Sequence, residues 1–170
     1  MTIGYLAVER FDTTPEYRAW SKLHHVKEIV SFDTCLCPNI LNDEDDDPIV
    51  YIGNIRFYSD LSWLLSRVTD KQDFQILAIV MEPDAKCDTV VINSSFRFYG
   101  YDLLEDMQLN VSALTNCGGK DKAFSPSDIS EFGLIEDFNR AREIQIKLRE
   151  EYPEEDHADC TLWAIWRWEP

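Results

Sequence analysis

Two spacings of hydrophobic residues alternate along the chain, and they predict which segments are strands and which are helices. Alternating positions, or continuous apolar runs of about four to eight residues, indicate strands. The run at 74–81 is almost entirely apolar, and it is followed closely by Pro83. That length and those boundaries are typical of a buried central strand. Strand-like segments lie at 3–8, 29–36, 49–55, 74–81, 95–103, 111–114 and 160–168, of which 49–55 and 111–114 are short.

Three segments carry the spacing and the start signals of helices. Thr14 and Pro15 form a cap and a first helical position, so we expect a helix there that buries Tyr17 and Trp20. Ser59 precedes a second helix at 60–68. The clearest helix is predicted at 135–152, and Pro153 ends it. Its buried stripe consists of Phe138, Ala141, Ile144, Leu148 and Tyr152.

The order of these elements predicts the fold class. Strands and helices do not alternate regularly, which favours an α+β fold over a parallel α/β fold. We therefore predict a mainly antiparallel sheet of five or six strands packed with about three helices. The length of 170 residues fits a single globular domain over 1–170. Residues 42–48 are polar and end in a proline, which predicts an exposed acidic loop.

The charge of the chain limits the classes of partner that it can bind. The sequence has 32 Asp and Glu against 16 Lys and Arg, a formal charge of −16, and the excess is spread evenly along the chain. A field of this sign repels nucleic acid and anionic membranes and attracts basic proteins. Immunity proteins of bacterial toxin systems are similar in size and charge, although no motif supports that likeness. The charge favours a small acidic protein that occupies a basic surface of a protein partner.

Two acidic segments are the candidate partner-binding sites. Asp43, Asp45 and Asp47 begin like a calcium loop, but Pro48 and Asn54 stand where that loop needs glycine and glutamate. We therefore predict no metal site and no cofactor, and we expect a solvated loop or a contact loop for a basic partner. The predicted partner-binding residues are Asp43, Glu44, Asp45, Asp46, Asp47, Glu154, Glu155 and Asp156.

The cysteines suggest a compartment and an alternative function. There are five of them and no secretory signal or long apolar run, so we expect reduced thiols in the cytoplasm and no membrane segment. Cys117 precedes two glycines, and a nucleophilic thiol there would need a base. His157 is the best candidate for that base. The alternative function is thus a thiol-dependent enzyme or small-ligand domain using Cys117 and His157. Without a further motif, an enzyme is the less favoured interpretation.

Overall fold

A seven-stranded sheet in which every pair of neighbours is antiparallel forms the centre of the molecule. The computed structural model describes residues 1–42, 44, 46–68, 73–106, 109–116 and 123–170, except for the side chain of Asp106. The strand order is β4-β5-β1-β6-β9-β7-β8, and β2 and β3 form a separate pair. The strands are β1 Gly4–Glu9, β2 Phe11–Asp12, β3 Glu28–Ile29, β4 Ile49–Ile52, β5 Ile55–Tyr58, β6 Phe74–Met81, β7 Phe96–Asp106, β8 Asn110–Ser112 and β9 Thr161–Trp168.

The predicted α+β class and the three helices are confirmed, but the predicted number of strands is wrong. The segment 49–55 is part of a hairpin, because the chain turns at Gly53 (φ 61°) and β4 pairs back onto β5. The segment 29–36 is a strand only at its first residue, because the Asp33 carboxylate accepts the amides of Cys35 and Leu36 and turns the chain. The main sheet therefore has seven strands and not five or six.

The three helices begin where a side chain can accept their free amides. They are α1 Pro15–Ser21, α2 Leu61–Arg67 and α3 Phe138–Glu151. Thr14, Asp60 and Asp137 are the caps, so the prediction that Ser59 caps α2 is wrong by one residue. Tyr17 is buried as expected, whereas Trp20 is 61 % exposed because α1 ends after two turns and the ring has only the edge of the small helix to pack on.

Both faces of the sheet are covered, and this explains why β6 and β9 are apolar throughout. On one face, Trp166 contacts Phe98, and the rings of Tyr101 and Phe138 bring α3 onto the same face. On the other face, Trp163 packs against Phe32 and Phe57. Irregular segments at 22–38 and 123–134 supply most of that second cover, with buried side chains that include Leu23, Val26, Val30, Phe124, Ile129 and Leu134.

Glu82 joins β6, β9 and α3 directly after the end of β6. Its backbone has a positive φ of 46°, and its carboxylate accepts the amide of Leu162, the side-chain amide of Gln145 and the guanidinium of Arg142. Burial alone would raise the pKa of Glu82, but these donors outweigh burial and hold the pKa below its usual range. Arg142 also donates to the carbonyl of Pro83, so α3 fixes the loop that follows β6.

Gly100 provides a test of how tightly the sheet is covered. Its φ is 141°, and a Cβ there would lie 2.8 Å from the carbonyl oxygen of Ile135. Gly100→Ala should therefore lower the free energy of unfolding by about 2–4 kcal/mol, measured by urea denaturation. Gly53→Ala is the control, since its nearest neighbour is the flexible Met81 side chain, and it should cost about 1–2 kcal/mol for its φ alone. Equal losses would contradict the close packing at Gly100.

Candidate functional site

The predicted acidic loop forms one wall of a cleft beside α2. The cleft measures about 330 Å³ and is lined by Ile40, Leu41, Asn42, Glu44, Asp47, Trp63 and Arg67. The guanidinium of Arg67 lies 5.0 Å from the centre of the Trp63 ring. Glu44 and Asp46 are exposed, whereas Asp47 is half-buried because its carboxylate accepts the amide of Glu44 at 2.7 Å. Asp43 and Asp45 lie outside the described residues.

The second predicted acidic segment follows α3 and precedes β9. Glu154 and Asp156 are exposed, and Glu155 is half-buried. The amides of Glu155 and Ala158 donate to the carbonyls of Tyr152 and Glu155, so the segment is a series of turns. This segment is separate from the acidic loop, because the chain preceding that loop runs along β1 and β6 lies between β1 and β9.

The sheet topology brings further acidic residues close to the second predicted segment, and these were not among the predicted partner-binding residues. Met81 at the end of β6 pairs with Trp163 near the start of β9, so the loop after β6 and the segment before β9 lie at the same end of the sheet. We call this region the acidic end and define it as residues 82–90, 136–137 and 153–160. Within it, Lys86 is the only Lys or Arg. Its exposed carboxylates belong to Asp84, Asp88, Glu136, Asp137, Glu154, Asp156 and Asp159.

A cleft of about 400 Å³ opens in the acidic end, where α3 begins. Asp84, Asp88, Glu136 and Asp137 contribute carboxylates, and the rings of Tyr101 and Phe138 line the same cleft. These two rings are 5.6 Å apart. The four acids come from two segments separated by about fifty residues, so spacing along the chain could not have predicted the cluster. Only the knowledge that β6 ends beside α3 would have done so.

Of the two residues of the alternative site, Cys117 and His157, the structure describes only His157. Cys117 lies outside the described residues, and the described structure therefore does not test its distance to His157. His157 is 3 % exposed, and its Nε2 has no hydrogen-bond partner among the described residues. The other thiols are less suited to chemistry: burial raises the pKa of Cys160 to about 12 and also raises the pKa of Cys37 and Cys87, while Cys35 is exposed.

The tryptophans of the last strand belong to the core. Trp163 and Trp166 are each 1 % exposed, and they pack on opposite faces of the sheet. Trp168 is half-buried. These rings therefore stabilise the fold, and the exposed aromatic side chains among the described residues are found instead at Trp20 and Tyr51.

A cluster of buried polar side chains lies under the irregular segments, on the face of Trp163. We call it the polar cluster and define it as Ser31, Asp33, Asp102, Ser112 and Asn116. The two Asp102 oxygens accept the hydroxyls of Ser31 at 2.5 Å and Ser112 at 2.6 Å. Asp33 accepts the backbone amide of Ser112 at 2.8 Å and the side-chain amide of Asn116. The cluster therefore ties the chain at 31–36 and at 112–116 to β7.

Both carboxylates of the polar cluster are completely buried, and the described part of the chain provides no cation for either. Burial raises the pKa of Asp102 to about 6; the nearby charge of Asp33 raises it further, and the hydrogen bonds from Ser112 and Ser31 reduce the rise. The donors around Asp33 and Asp102 are neutral hydroxyls and amides. This arrangement stabilises loops, and it does not by itself define a reaction.

Searches for metal ligands and for membrane segments give two further observations on the described residues. They contain no group of three or more His, Cys, Asp or Glu side chains placed to hold a metal ion. None of the described helices has the length and apolar character needed to span a membrane.

Comparisons with known proteins do not assign the chain to a family. A scan against protein-family models finds no match to the chain, and searches of the curated proteins and of the solved structures also find none.

The buried charge of Asp102 predicts a pH dependence of stability. Because its pKa is higher in the folded protein than in the unfolded chain, the folded state binds more protons between about pH 4 and pH 6, and this group's contribution to stability falls as pH rises through that window. Asp102→Asn removes this contribution. Its free energy of unfolding relative to wild type should increase by about 2–3 kcal/mol from pH 4 to pH 7.5, measured by urea denaturation.

Asp46→Asn is the control for this experiment, since Asp46 is exposed in the acidic loop. Its difference from wild type should stay constant over the same pH range. A constant difference for Asp102→Asn as well would show that the ionised form of Asp102 is not destabilised by burial.

Proposed function

We propose that the protein binds a basic surface of another protein through its acidic end and its acidic loop. The observation that carries this proposal is that the acidic end has seven exposed carboxylates and a single basic residue, Lys86, with four of the acids lining one cleft. A surface of this kind raises the association rate with a basic partner and makes binding strongly salt-dependent. An inhibitor that covers a basic active surface, in the manner of a toxin-immunity protein, is one form that this function would take.

The ion pairs among the described residues show which surface carboxylates are neutralised by bases. The observed pairs use Arg10, Lys27, Arg140, Arg142 and Arg167, and their acidic partners are Glu28, Glu82, Asp128, Glu131, Glu143 and Glu169. Apart from the half-buried Glu82, these acids lie outside the acidic end. Arg142 thus brings one positive charge to Glu82 in the acidic end, whereas the other four bases pair with acids elsewhere, and the seven exposed carboxylates of the acidic end take part in none of these pairs.

The cleft at the start of α3 supports recognition of a single basic side chain. Its carboxylates would pair with a guanidinium or ammonium group, and the half-buried Phe138 ring would contact the apolar stem of the same side chain. Arginine is the side chain that uses both kinds of contact best. We infer that an arginine of the partner enters this cleft.

Binding to basic proteins tests the function. Immobilised protein should bind members of a panel of histones, cytochrome c and ribonuclease A with an affinity that falls at least about tenfold between about 20 and 200 mM salt. The variant with Asp84→Asn, Asp88→Asn, Glu154→Gln and Asp156→Asn should bind at least about tenfold more weakly than wild type at low salt, measured by biolayer interferometry.

A matched variant separates a specific surface from total charge. Glu9→Gln, Asp12→Asn, Glu16→Gln and Asp73→Asn remove the same four charges from exposed positions outside the acidic end. This variant should lose less than about threefold in affinity, because charges outside the contact lie farther from the bound partner and attract it more weakly. Equal losses in the two variants would contradict binding at the acidic end.

A thiol-dependent enzyme using Cys117 and His157 remains the second candidate function. One observation favours it, namely that no residue in the described part of the chain bonds to Nε2 of the buried His157 ring. A catalytic thiolate would react with iodoacetamide near neutral pH much faster than an ordinary exposed thiol.

Thiol labelling with peptide mapping therefore tests this candidate. In the native protein, Cys37, Cys87 and Cys160 should react slowly because burial raises their pKa, and exposed Cys35 should set the ordinary rate. If the enzyme hypothesis is right, Cys117 should react at least about tenfold faster than Cys35, and His157→Gln should abolish the difference. A Cys117 rate at or below that of Cys35 would eliminate a catalytic thiolate.

A further inference from the structure

The two edges of the main sheet differ in whether their backbone is occupied. At the β8 edge, the amide of Thr34 donates to the carbonyl of Asn110 at 2.8 Å, and the Thr34 hydroxyl accepts the amide of Asn110 at 3.1 Å. The next amide available on that edge, from Ser112, donates to Asp33 at 2.8 Å. The β8 edge is therefore closed by the chain itself. The opposite edge is β4, which pairs only with β5.

The register of the β4–β5 hairpin shows which backbone groups point outward. The amide of Ser59 donates to the carbonyl of Pro48 at 2.8 Å, so 48 and 59 form a hydrogen-bonded pair. Such pairs alternate along an antiparallel ladder, and the pairs at Val50 and Ile52 are therefore also bonded to β5. The amides and carbonyls of Ile49 and Tyr51 consequently face away from β5. No other described residue bonds to them.

The side chains of β4 lack the features that usually protect an edge strand. Natural edges carry lysine, proline or a bulge that prevents pairing with another chain. The four residues of β4 are Ile49, Val50, Tyr51 and Ile52, in regular register with β5. Tyr51 is 69 % exposed. Among the described residues, β4 is protected by its shortness and by Pro48 at its start, and a short added strand could still pair with it.

Charge selects the kind of strand that would be added. Exposed Glu44 and Asp46 lie in the loop that leads into β4. The five acids of residues 43–47 outnumber Arg56, which lies opposite Tyr51 on β5, and Arg67, which lies in the cleft beside the loop. A second copy of this chain would bring a second acidic loop to the same edge and another formal charge of −16. Like charges oppose that association, whereas a basic segment is attracted to it.

We propose that β4 receives an extended basic segment of the protein partner, which adds to the sheet as an eighth strand. Ile49 and Tyr51 would supply two backbone donors and two acceptors to the incoming segment. Side chains of the segment on one face would then meet the exposed Tyr51 ring. This inference rests on the proposed function, since it assigns a docking position to the same basic partner.

Substitution at Tyr51 tests the strand addition. Proline removes the outward amide without removing a bond to β5, so Tyr51→Pro is compatible with an edge strand. Tyr51→Thr is the matched control, because it removes the ring and keeps the amide. The probe is a short synthetic peptide of alternating lysine and valine. Tyr51→Pro should bind this peptide at least about tenfold more weakly than Tyr51→Thr, measured by fluorescence anisotropy at low salt.

Methylated peptides test the same contact on unmodified protein, so the proposal does not depend on the folding of a variant. One peptide carries N-methyl groups on every residue and the other carries none. Successive amides in a strand point in opposite directions, so methylation of every residue blocks both edges and leaves the charge unchanged. In a stable strand addition, the methylated peptide should bind at least about tenfold more weakly than the other. Equal affinities would overturn the proposal.

The outcomes also separate this inference from the proposed function. If wild-type protein shows no salt-dependent binding to the basic panel or to the peptide, the proposed function fails. If binding is salt-dependent but insensitive to Tyr51→Pro and to methylation, the function stands and strand addition is wrong. Sedimentation of wild-type protein over a concentration series tests whether a second copy of the chain pairs with β4 instead. A dimer abolished by Tyr51→Pro would show that a second copy takes this edge and would overturn the proposal.

Discussion

The buried carboxylates of Asp33 and Asp102 hold the irregular half of the molecule in place. Removing a carboxylate from water without a cation is costly, and the cost is offset here by converging hydroxyl and amide donors. Those donors come from segments that have little regular structure of their own. Loops with their backbone groups satisfied in this way can cover a sheet face as a helix would. The packing of Trp163 against Phe32 depends on that cover.

A second polar junction, at Glu82, organises the opposite face. Glu82 joins the end of β6 to the start of β9 and to the middle of α3. It thereby fixes the loop that carries Asp84 and Asp88. That loop is consequently held by hydrogen bonds at its start, and an ordered loop loses less entropy when a partner binds.

The sequence predicted those elements whose cause is local. These elements include the cap at Thr14, the apolar run at 74–81 and the stripe of α3. Each depends on neighbours within one or two turns, and the sequence predicts each to within about three residues. The β4–β5 hairpin was read as one strand because the turn at Gly53 interrupts an otherwise continuous β-rich run. The turn at Asp33 is local, since its carboxylate accepts the amides of Cys35 and Leu36, but the β-branched and aromatic residues around it favoured a strand. The cleft beside α3 depends on residues distant in sequence, and no spacing rule contains that information.

The position of β9 has a consequence for how the protein is made. This strand is synthesised after all the others, yet it lies between β6 and β7 and pairs with both. While the ribosome is still adding the preceding residues, the nascent chain exposes one whole edge of β6 and of β7. Neither half of the sheet can seal until residues 161–168 leave the exit tunnel. Closure of the sheet is then expected to be a late step in folding, and before it the apolar β6 is the segment most exposed to aggregation.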